Sequence, residues 1–112
     1  MHEKDDYPFK SINDSHGHAA GDAVLKDFAD VSRLTIRRSD LVGKIGGEEF
    51  LIVLPGATAD DASYLVERLR REACDRQVRT DAGALIGYSF SAGVCELRSV
   101  SMSLRHLGVY IQ

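Results

Sequence analysis

The sequence KIGGEEFLIVLP occupies residues 44–55 and decides how the neighbouring chain must fold. Two apolar runs, residues 41–45 and 50–54, flank a Gly-Gly pair that is followed by two glutamates. This order predicts a β-hairpin with a polar tip, because apolar runs joined by glycines are typical of paired strands. Gly46 and Gly47 can adopt positive φ and keep Cβ atoms away from anything that lies on the turn.

The carboxylates of Glu48 and Glu49 suggest chemistry at the hairpin tip. Two negative charges beside an uncovered backbone suit a hard cation such as Mg²⁺ that carries phosphate. The same sequence fits a hairpin with no ligand, since Gly-Gly turns followed by charged residues also occur in purely structural hairpins. Taken alone, the stretch favours the structural interpretation.

The length and charge of the chain limit its function. Its 112 residues predict one small domain, and the net charge of −3 argues against a broad nucleic-acid-binding surface. No apolar run approaches membrane-spanning length and the first residues do not resemble a signal peptide, so we expect a cytoplasmic protein without a membrane segment. Cys74 and Cys95 lack metal-ligand or redox spacing, which predicts reduced thiols in the core.

Two amphipathic helices are predicted, one on each side of the hairpin. Apolar residues recur at helical spacing from about residue 19 to residue 37, and again after Thr58 until about Cys74. Thr58 is the expected N-cap of the second helix, with Asp60 and Asp61 in the first turn, where the helix dipole favours acids. Tyr64 is expected to be a packing residue with a hydrated hydroxyl.

The sequence after the second helix predicts strands and a short final helix. Apolar residues alternate over residues 88–95, which predicts one half-buried strand. A turn at residues 81–83 is expected to pair this strand with a short one at residues 78 and 79. Residues 101–112 predict a short helix. The whole order predicts an α+β fold in which helices pack on an antiparallel sheet.

Three separated pieces of the chain together resemble the GGDEF domain, the diguanylate cyclase family of bacterial signalling. Residues 46–50, GGEEF, match its signature. Residues 9–22 contain FKSIND, GH and GD, which match the FKxxND, GH and GD pieces of the family at the expected spacing. Residues 37–40, RRSD, lie where the family carries its RxxD product-binding motif. The likeness runs from about residue 5 to residue 94.

This resemblance implies a ferredoxin-like, nucleotidyl-cyclase-type domain that condenses two GTP molecules into cyclic di-GMP with Mg²⁺ or Mn²⁺. Two such domains would meet face to face, each presenting one GTP, so the implied catalytic unit is a homodimer. Each 3′-hydroxyl would attack the α-phosphate of the other GTP. The alternative is a catalytically inactive GGDEF domain that binds cyclic di-GMP or GTP as a regulatory module.

The resemblance also implies the metal and catalytic residues. Asp5 and Glu48 would bridge two divalent cations, with the carbonyl of Asp6 as a further oxygen ligand. The cations would neutralise the triphosphate and stabilise the leaving pyrophosphate. Glu48 and Glu49 are the implied catalytic acids, and Glu49, the second signature acid, would be either a metal neighbour or a structural partner.

The remaining implied roles concern GTP. Asn13 and Asp22 would bind guanine, through an amide and a carboxylate respectively. Lys10, with backbone N–H groups of the turn around Phe9, would hold the β- and γ-phosphates. The two glycines of the hairpin tip would leave space for the substrate. Without the family, Asn13 and Asp22 are better interpreted as turn and cap residues.

An inhibitory product site is implied at Arg37, Asp40 and Arg68, because guanidinium groups suit the phosphates and guanine edges of cyclic di-GMP. Solvated helix arginines are the competing interpretation of Arg37 and Arg68.

The sequence departs from the family at both ends. The strand that precedes Asp5 in the family would have to form from residues 1–4, which are too few and too polar. Tyr7 replaces a second acid, and Pro8 removes one N–H donor from the phosphate-binding turn. The C-terminal helix is shortened, and the lysine and arginine that follow it in the family are missing. We therefore expect residues 1–112 to form a single GGDEF-like domain that is incomplete at both ends.

Overall fold

The computed structural model describes residues 6–8, 12, 16–98 and 105–111, with side chains described for residues 12, 16–96 and 111. The helices in these ranges are α1 (His18–Thr35) and α2 (Ala59–Cys74). The strands are β1 (Asp6–Pro8), β2 (Leu41–Lys44), β3 (Phe50–Pro55), β4 (Val78–Arg79), β5 (Leu85–Ser89), β6 (Ala92–Arg98) and β7 (Arg105–Ile111). The predicted α+β class is confirmed.

The strands divide into two sheets. One is antiparallel with the order β2-β3-β7-β6, and the other has the order β1-β5-β4, in which β1 runs parallel to β5. The predicted hairpin is confirmed in the first sheet, where Leu41 pairs with Val53 and Lys44 pairs with Phe50. Strand β1 was not predicted, because its short sequence carries no apolar alternation.

The single strand predicted over residues 88–95 is wrong, because the chain leaves one sheet at Ser89 and enters the other at Ala92. Phe90 lies between the strands but is buried, so apolar alternation continues across the break. The Phe90 carbonyl accepts a hydrogen bond from Arg70 Nη1 at 3.1 Å, which satisfies it outside a sheet ladder. The predicted pairing of β4 with β5 is confirmed through Val78 and Ile86.

The helix predicted at residues 101–112 is also wrong. Residues 101–104 and 112 lie outside the described residues, and Arg105–Ile111 forms β7 between β3 and β6. Ile111 pairs with Phe50 on one side and with Ala92 on the other. Gly108 and Val109 are weak helix formers, whereas a strand placed between two others satisfies backbone groups on both of its edges.

Phe28 of α1 lies at the centre of the core and is 0% exposed. Its ring centroid is 5.0 Å from that of Phe50 in β3, 5.1 Å from Phe90 and 6.3 Å from Tyr88 in β5. These contacts connect α1 to both sheets. Beside them, Asp27 accepts hydrogen bonds from Arg76 Nε at 2.8 Å and from the Tyr88 hydroxyl at 2.7 Å.

The ends of α2 agree with its sequence, whereas the two cysteines do not occupy the predicted environment. Thr58 caps α2: its hydroxyl accepts from the Asp61 N–H at 3.1 Å, and the Asp61 carboxylate accepts from the Thr58 N–H at 3.0 Å.

Cys74 and Cys95 are reduced, as predicted, but both are exposed rather than in the core. Cys74 ends α2 one position after its last buried residue, which explains its exposure.

Candidate functional site

A groove of about 240 Å³ lies between α2, the end of α1 and β3, and we call it the arginine groove. It brings together Arg37, Asp40 and Arg68, the three residues for which the family resemblance implies an inhibitory product site. The other residues that line it are Thr35, Leu54, Ala57, Asp61, Tyr64 and Leu65.

Arg37 is held in the arginine groove by a buried carboxylate. Arg37 Nη2 donates to Asp40 Oδ1 at 2.8 Å, Nε donates to both carboxylate oxygens at 3.1 Å, and the backbone N–H of Arg37 donates to Oδ2 at 2.8 Å. Arg37 Nη2 also donates to the Pro55 carbonyl at 3.1 Å. The Asp40 side chain is 1% exposed, whereas that of Arg37 is 51% exposed. The hydrogen bond to Asp40 raises the pKa of Arg37, so the guanidinium stays charged.

Helix α2 supplies the opposite wall of the arginine groove. Asp61, Tyr64 and Arg68 are spaced by three and four residues, which places them along one helix face. Asp61 is occupied by the cap, and its hydrogen bonds with Thr58 lower its pKa. Tyr64 is 65% exposed, so the expectation that it is a packing residue is wrong. Its position between Asp61 and Arg68 is the sequence signal that could have placed it in this groove.

A second groove, of about 350 Å³, lies between α1 and the hairpin, and we call it the hairpin groove. Asp22, one of the expected guanine-binding residues, lines it opposite Lys44 and Phe50, which flank the hairpin tip. Sequence reasoning did not single out Lys26 and Arg33, which line the groove at helical spacing from Asp22. The remaining lining residues are Leu25, Ala29, Val42 and Gly43.

The hairpin tip is closed by a hydrogen bond from the Ile45 N–H to the Glu49 carbonyl at 2.9 Å. Neither Gly46 nor Gly47 adopts positive φ, so the left-handed geometry that their sequence permits is not used. A Cβ on Gly46 would lie 3.4 Å from the carboxylate of Glu49, whereas a Cβ on Gly47 would meet nothing within 4 Å. The uncovered backbone is therefore at Gly47, next to the half-buried Glu48.

The predicted metal and phosphate residues are described only in part. Asp5, Phe9, Lys10 and Asn13 lie outside the described residues. The backbone of Asp6 pairs with Gly87 in the sheet that does not contain the hairpin. In the described ranges, no three histidine, cysteine, aspartate or glutamate side chains are grouped as metal ligands. Glu48 offers a hard oxygen donor beside open backbone, which fits Mg²⁺ chemistry at the tip.

The fold and its grooves define an α+β domain that presents an acidic hairpin beside one groove and paired guanidinium groups in another. The family model described as "Diguanylate cyclase, GGDEF domain" matches residues 5–106. The chain therefore belongs to the GGDEF domain family of diguanylate cyclases, which are nucleotidyltransferases. Within the described part of the chain, no helix is long and apolar enough to cross a membrane.

Individual relatives support the family assignment. The chain is 38% identical over 86 residues to Diguanylate cyclase A of Treponema denticola, a match that covers 77% of this chain and 23% of that protein. The solved GGDEF domain of YfiN from Pseudomonas aeruginosa is 38% identical, with a TM-score of 0.63 over 70% of this chain and 49% of that one. The active GGEEF domain of a Vibrio cholerae diguanylate cyclase is 34% identical, with a TM-score of 0.59 over 69% of this chain and 49% of that one. The chain thus spans about a quarter of the length of Diguanylate cyclase A and about half of each of the two solved domains.

Proposed function

We propose that residues 1–112 act as the GGDEF domain of a diguanylate cyclase that binds its own product. The protein condenses two GTP molecules into cyclic di-GMP across a homodimer, and cyclic di-GMP inhibits it from the arginine groove. The observation that carries the proposal is that Arg37, Asp40 and Arg68 come from a loop and a separate helix yet line one groove.

GTP, the proposed substrate, lies between α1 and the hairpin. The carboxylate of Asp22 is an acceptor for the guanine N1–H and 2-amino donors, and Asn13 binds another edge of the base. Lys10 and the backbone around Phe9 hold the β- and γ-phosphates. The apolar lining of the hairpin groove, formed by Leu25 and its neighbours, suits the faces of a planar base.

The proposed catalytic role belongs to three acidic residues and one backbone carbonyl, which would bind divalent cations. Asp5, the Asp6 carbonyl and Glu48 would hold Mg²⁺ or Mn²⁺, and the carboxylate of Glu49 lies next to Gly46 at the hairpin tip. A bound divalent cation neutralises the triphosphate and lowers the barrier to phosphoryl transfer. Glu48 is supported as a ligand by its half-buried position next to the open backbone of Gly47.

Binding of the product, cyclic di-GMP, depends on which donors of the Arg37 guanidinium remain available to it. Asp40 and the Pro55 carbonyl take the hydrogen bonds from Nε and Nη2, and among the described contacts Nη1 makes none. Arg37 therefore keeps donors for a phosphodiester while its orientation is already fixed. Arg68 supplies a second guanidinium from the other wall of the groove. Two guanidinium groups suit the two phosphates and the guanine edges of cyclic di-GMP.

Product binding can be tested by titrating the purified protein with cyclic di-GMP in a calorimeter. We expect binding that Arg37→Ala and Arg68→Ala each weaken at least tenfold, because each removes a charge-assisted contact. Arg71→Ala, which removes an exposed arginine of α2 outside the groove, is the matched control and should bind like the unmodified protein. Equal affinity in Arg37→Ala and the control would rule out the arginine groove as the product site.

Catalysis needs a separate assay on the purified protein. Incubation with GTP and Mg²⁺ should yield cyclic di-GMP, and Glu48→Gln should abolish that product while leaving calorimetric binding of cyclic di-GMP intact. Formation of cyclic di-GMP by Glu48→Gln at the unmodified rate would refute the assigned role of Glu48.

A further inference from the structure

We propose that Tyr64 is the surface on which a purine base of the ligand stacks in the arginine groove. This inference rests on the proposed product-binding function and adds to it a residue that reads the base rather than the phosphate. The Tyr64 side chain is large, partly apolar and 65% exposed. It lines a groove that also contains two guanidinium groups.

The position of Tyr64 on α2 puts its ring among the charged groups. Arg68 lies one helical turn after Tyr64, and Asp61 lies one turn before it, so the three residues share one face of the helix. Asp61 is held at the N-terminus of α2 by the cap with Thr58. The guanidinium of Arg37, on the opposite wall, is held by Asp40. Tyr64 therefore lines the same groove as two guanidinium groups that can bind an anionic ligand.

The size of the arginine groove indicates that part of a large ligand must lie at its rim. Its volume of about 240 Å³ is below the roughly 300 Å³ at which pockets begin to enclose a drug-sized ligand. A cyclic dinucleotide consequently cannot be enclosed, and part of it must rest on the exposed rim. Among the described residues that line the groove, Tyr64 is the aromatic one, and the apolar floor beside it is formed by Leu54, Ala57 and Leu65.

The chemistry of a nucleobase agrees with this arrangement. Every base has an apolar π-face that aromatic side chains bind by stacking, and a tyrosine ring provides a rigid surface with little conformational entropy to lose. Phosphate contacts from Arg37 and Arg68 would hold the backbone of the ligand, whereas stacking on Tyr64 would hold its base. The two kinds of contact together favour a purine nucleotide over a simple phosphate.

The test compares two substitutions of Tyr64 by calorimetry with cyclic di-GMP. Tyr64→Ala removes the ring and should weaken binding by about 5- to 150-fold, the range that base–aromatic stacking gives. Tyr64→Phe keeps the ring and should bind within about twofold of the unmodified protein, because the π-face rather than the hydroxyl makes the contact. Leu85→Ala, which truncates an exposed apolar residue of β5 that is not among the residues lining the arginine groove, is the control and should have no effect.

Each outcome of this comparison is informative. If the unmodified protein does not bind cyclic di-GMP, both the proposed product site and this inference fail. If Arg37→Ala loses binding but Tyr64→Ala does not, the product site stands and the stacking role is refuted. If Tyr64→Phe loses as much affinity as Tyr64→Ala, the hydroxyl is the contact and stacking is again refuted. Thermal unfolding of each variant should match that of the unmodified protein, since the exposed side chain contributes little to the core.

Discussion

The contact between Arg37 and Asp40 should be energetically strong, and a double-mutant cycle can measure it. Two limiting cases bound its value: breaking a buried ion pair costs about 3–5 kcal/mol, and exposed pairs contribute about 0.2–1 kcal/mol. Asp40 is 1% exposed and Arg37 is 51% exposed, with contacts of 2.8–3.1 Å, so the pair lies between these limits. We expect a coupling energy of about 2 kcal/mol.

The assay is equilibrium unfolding in urea of the unmodified chain, Arg37→Ala, Asp40→Ala and the double variant. The coupling energy is the difference between the double-variant effect and the sum of the single effects, and it requires unchanged m-values. The pair of Arg33 and Asp30 provides a matched control with the same sequence spacing. Its atoms are 3.6 Å apart and its side chains are 63% and 53% exposed, so its coupling should be below about 0.5 kcal/mol.

A coupling energy for Arg37 and Asp40 no larger than that of the control pair would refute the reasoning. It would mean that Asp40 does not hold Arg37 in place before the ligand arrives. Asp40→Ala should also weaken cyclic di-GMP binding, because the freed guanidinium must then be ordered by the ligand.

Three further predictions concern the core, a helix end and the pH dependence. Phe28→Ala should lower the free energy of unfolding in urea by about 3–5 kcal/mol, because a fully buried ring is removed; a loss below about 1 kcal/mol would contradict its central position. Thr58→Ala should destabilise by about 1 kcal/mol, and Thr58→Ser should regain most of that stability. Burial and the hydrogen bond to Asp27 raise the pKa of Tyr88. The unfolded chain therefore loses this proton first, so stability should fall above about pH 10, by up to about 1.4 kcal/mol per pH unit. Tyr88→Phe should remove this part of the fall, and equal alkaline slopes in urea unfolding would count against it.

The local elements were predictable where the sequence carries its own signal. Strands β2 and β3 follow from two apolar runs around a Gly-Gly pair, and the start of α2 follows from the reciprocal cap of Thr58 and Asp61. These signals depend on neighbouring residues alone. The family resemblance likewise implied one site for Arg37, Asp40 and Arg68, and in the structure the three residues line one groove.

The elements that failed are those decided by distant parts of the chain. Leu104, Leu107 and Ile111 have helical spacing, but Leu107, Val109 and Ile111 also alternate, and the open edges of β3 and β6 favour the strand. In the same way, the sequence does not show that the chain passes from one sheet to the other at Phe90. This residue lies in a loop but is buried, so the apolar alternation of the two strands continues through it. The exposure of Tyr64 depends on which side of α2 faces the core, and a local pattern fixes that side only approximately.

The central place of β7 also has a consequence for how this chain reaches its native state. Its partners, β3 and β6, have no direct hydrogen-bonded ladder to each other, so the four-stranded sheet cannot close until β7 arrives. The pairing of Phe50 with Ile111 spans just over half of the chain, and such non-local contacts slow folding. Until then β3 and β6 each expose an unpaired edge that a second molecule could extend, so refolding should lose yield to aggregation as the protein concentration rises.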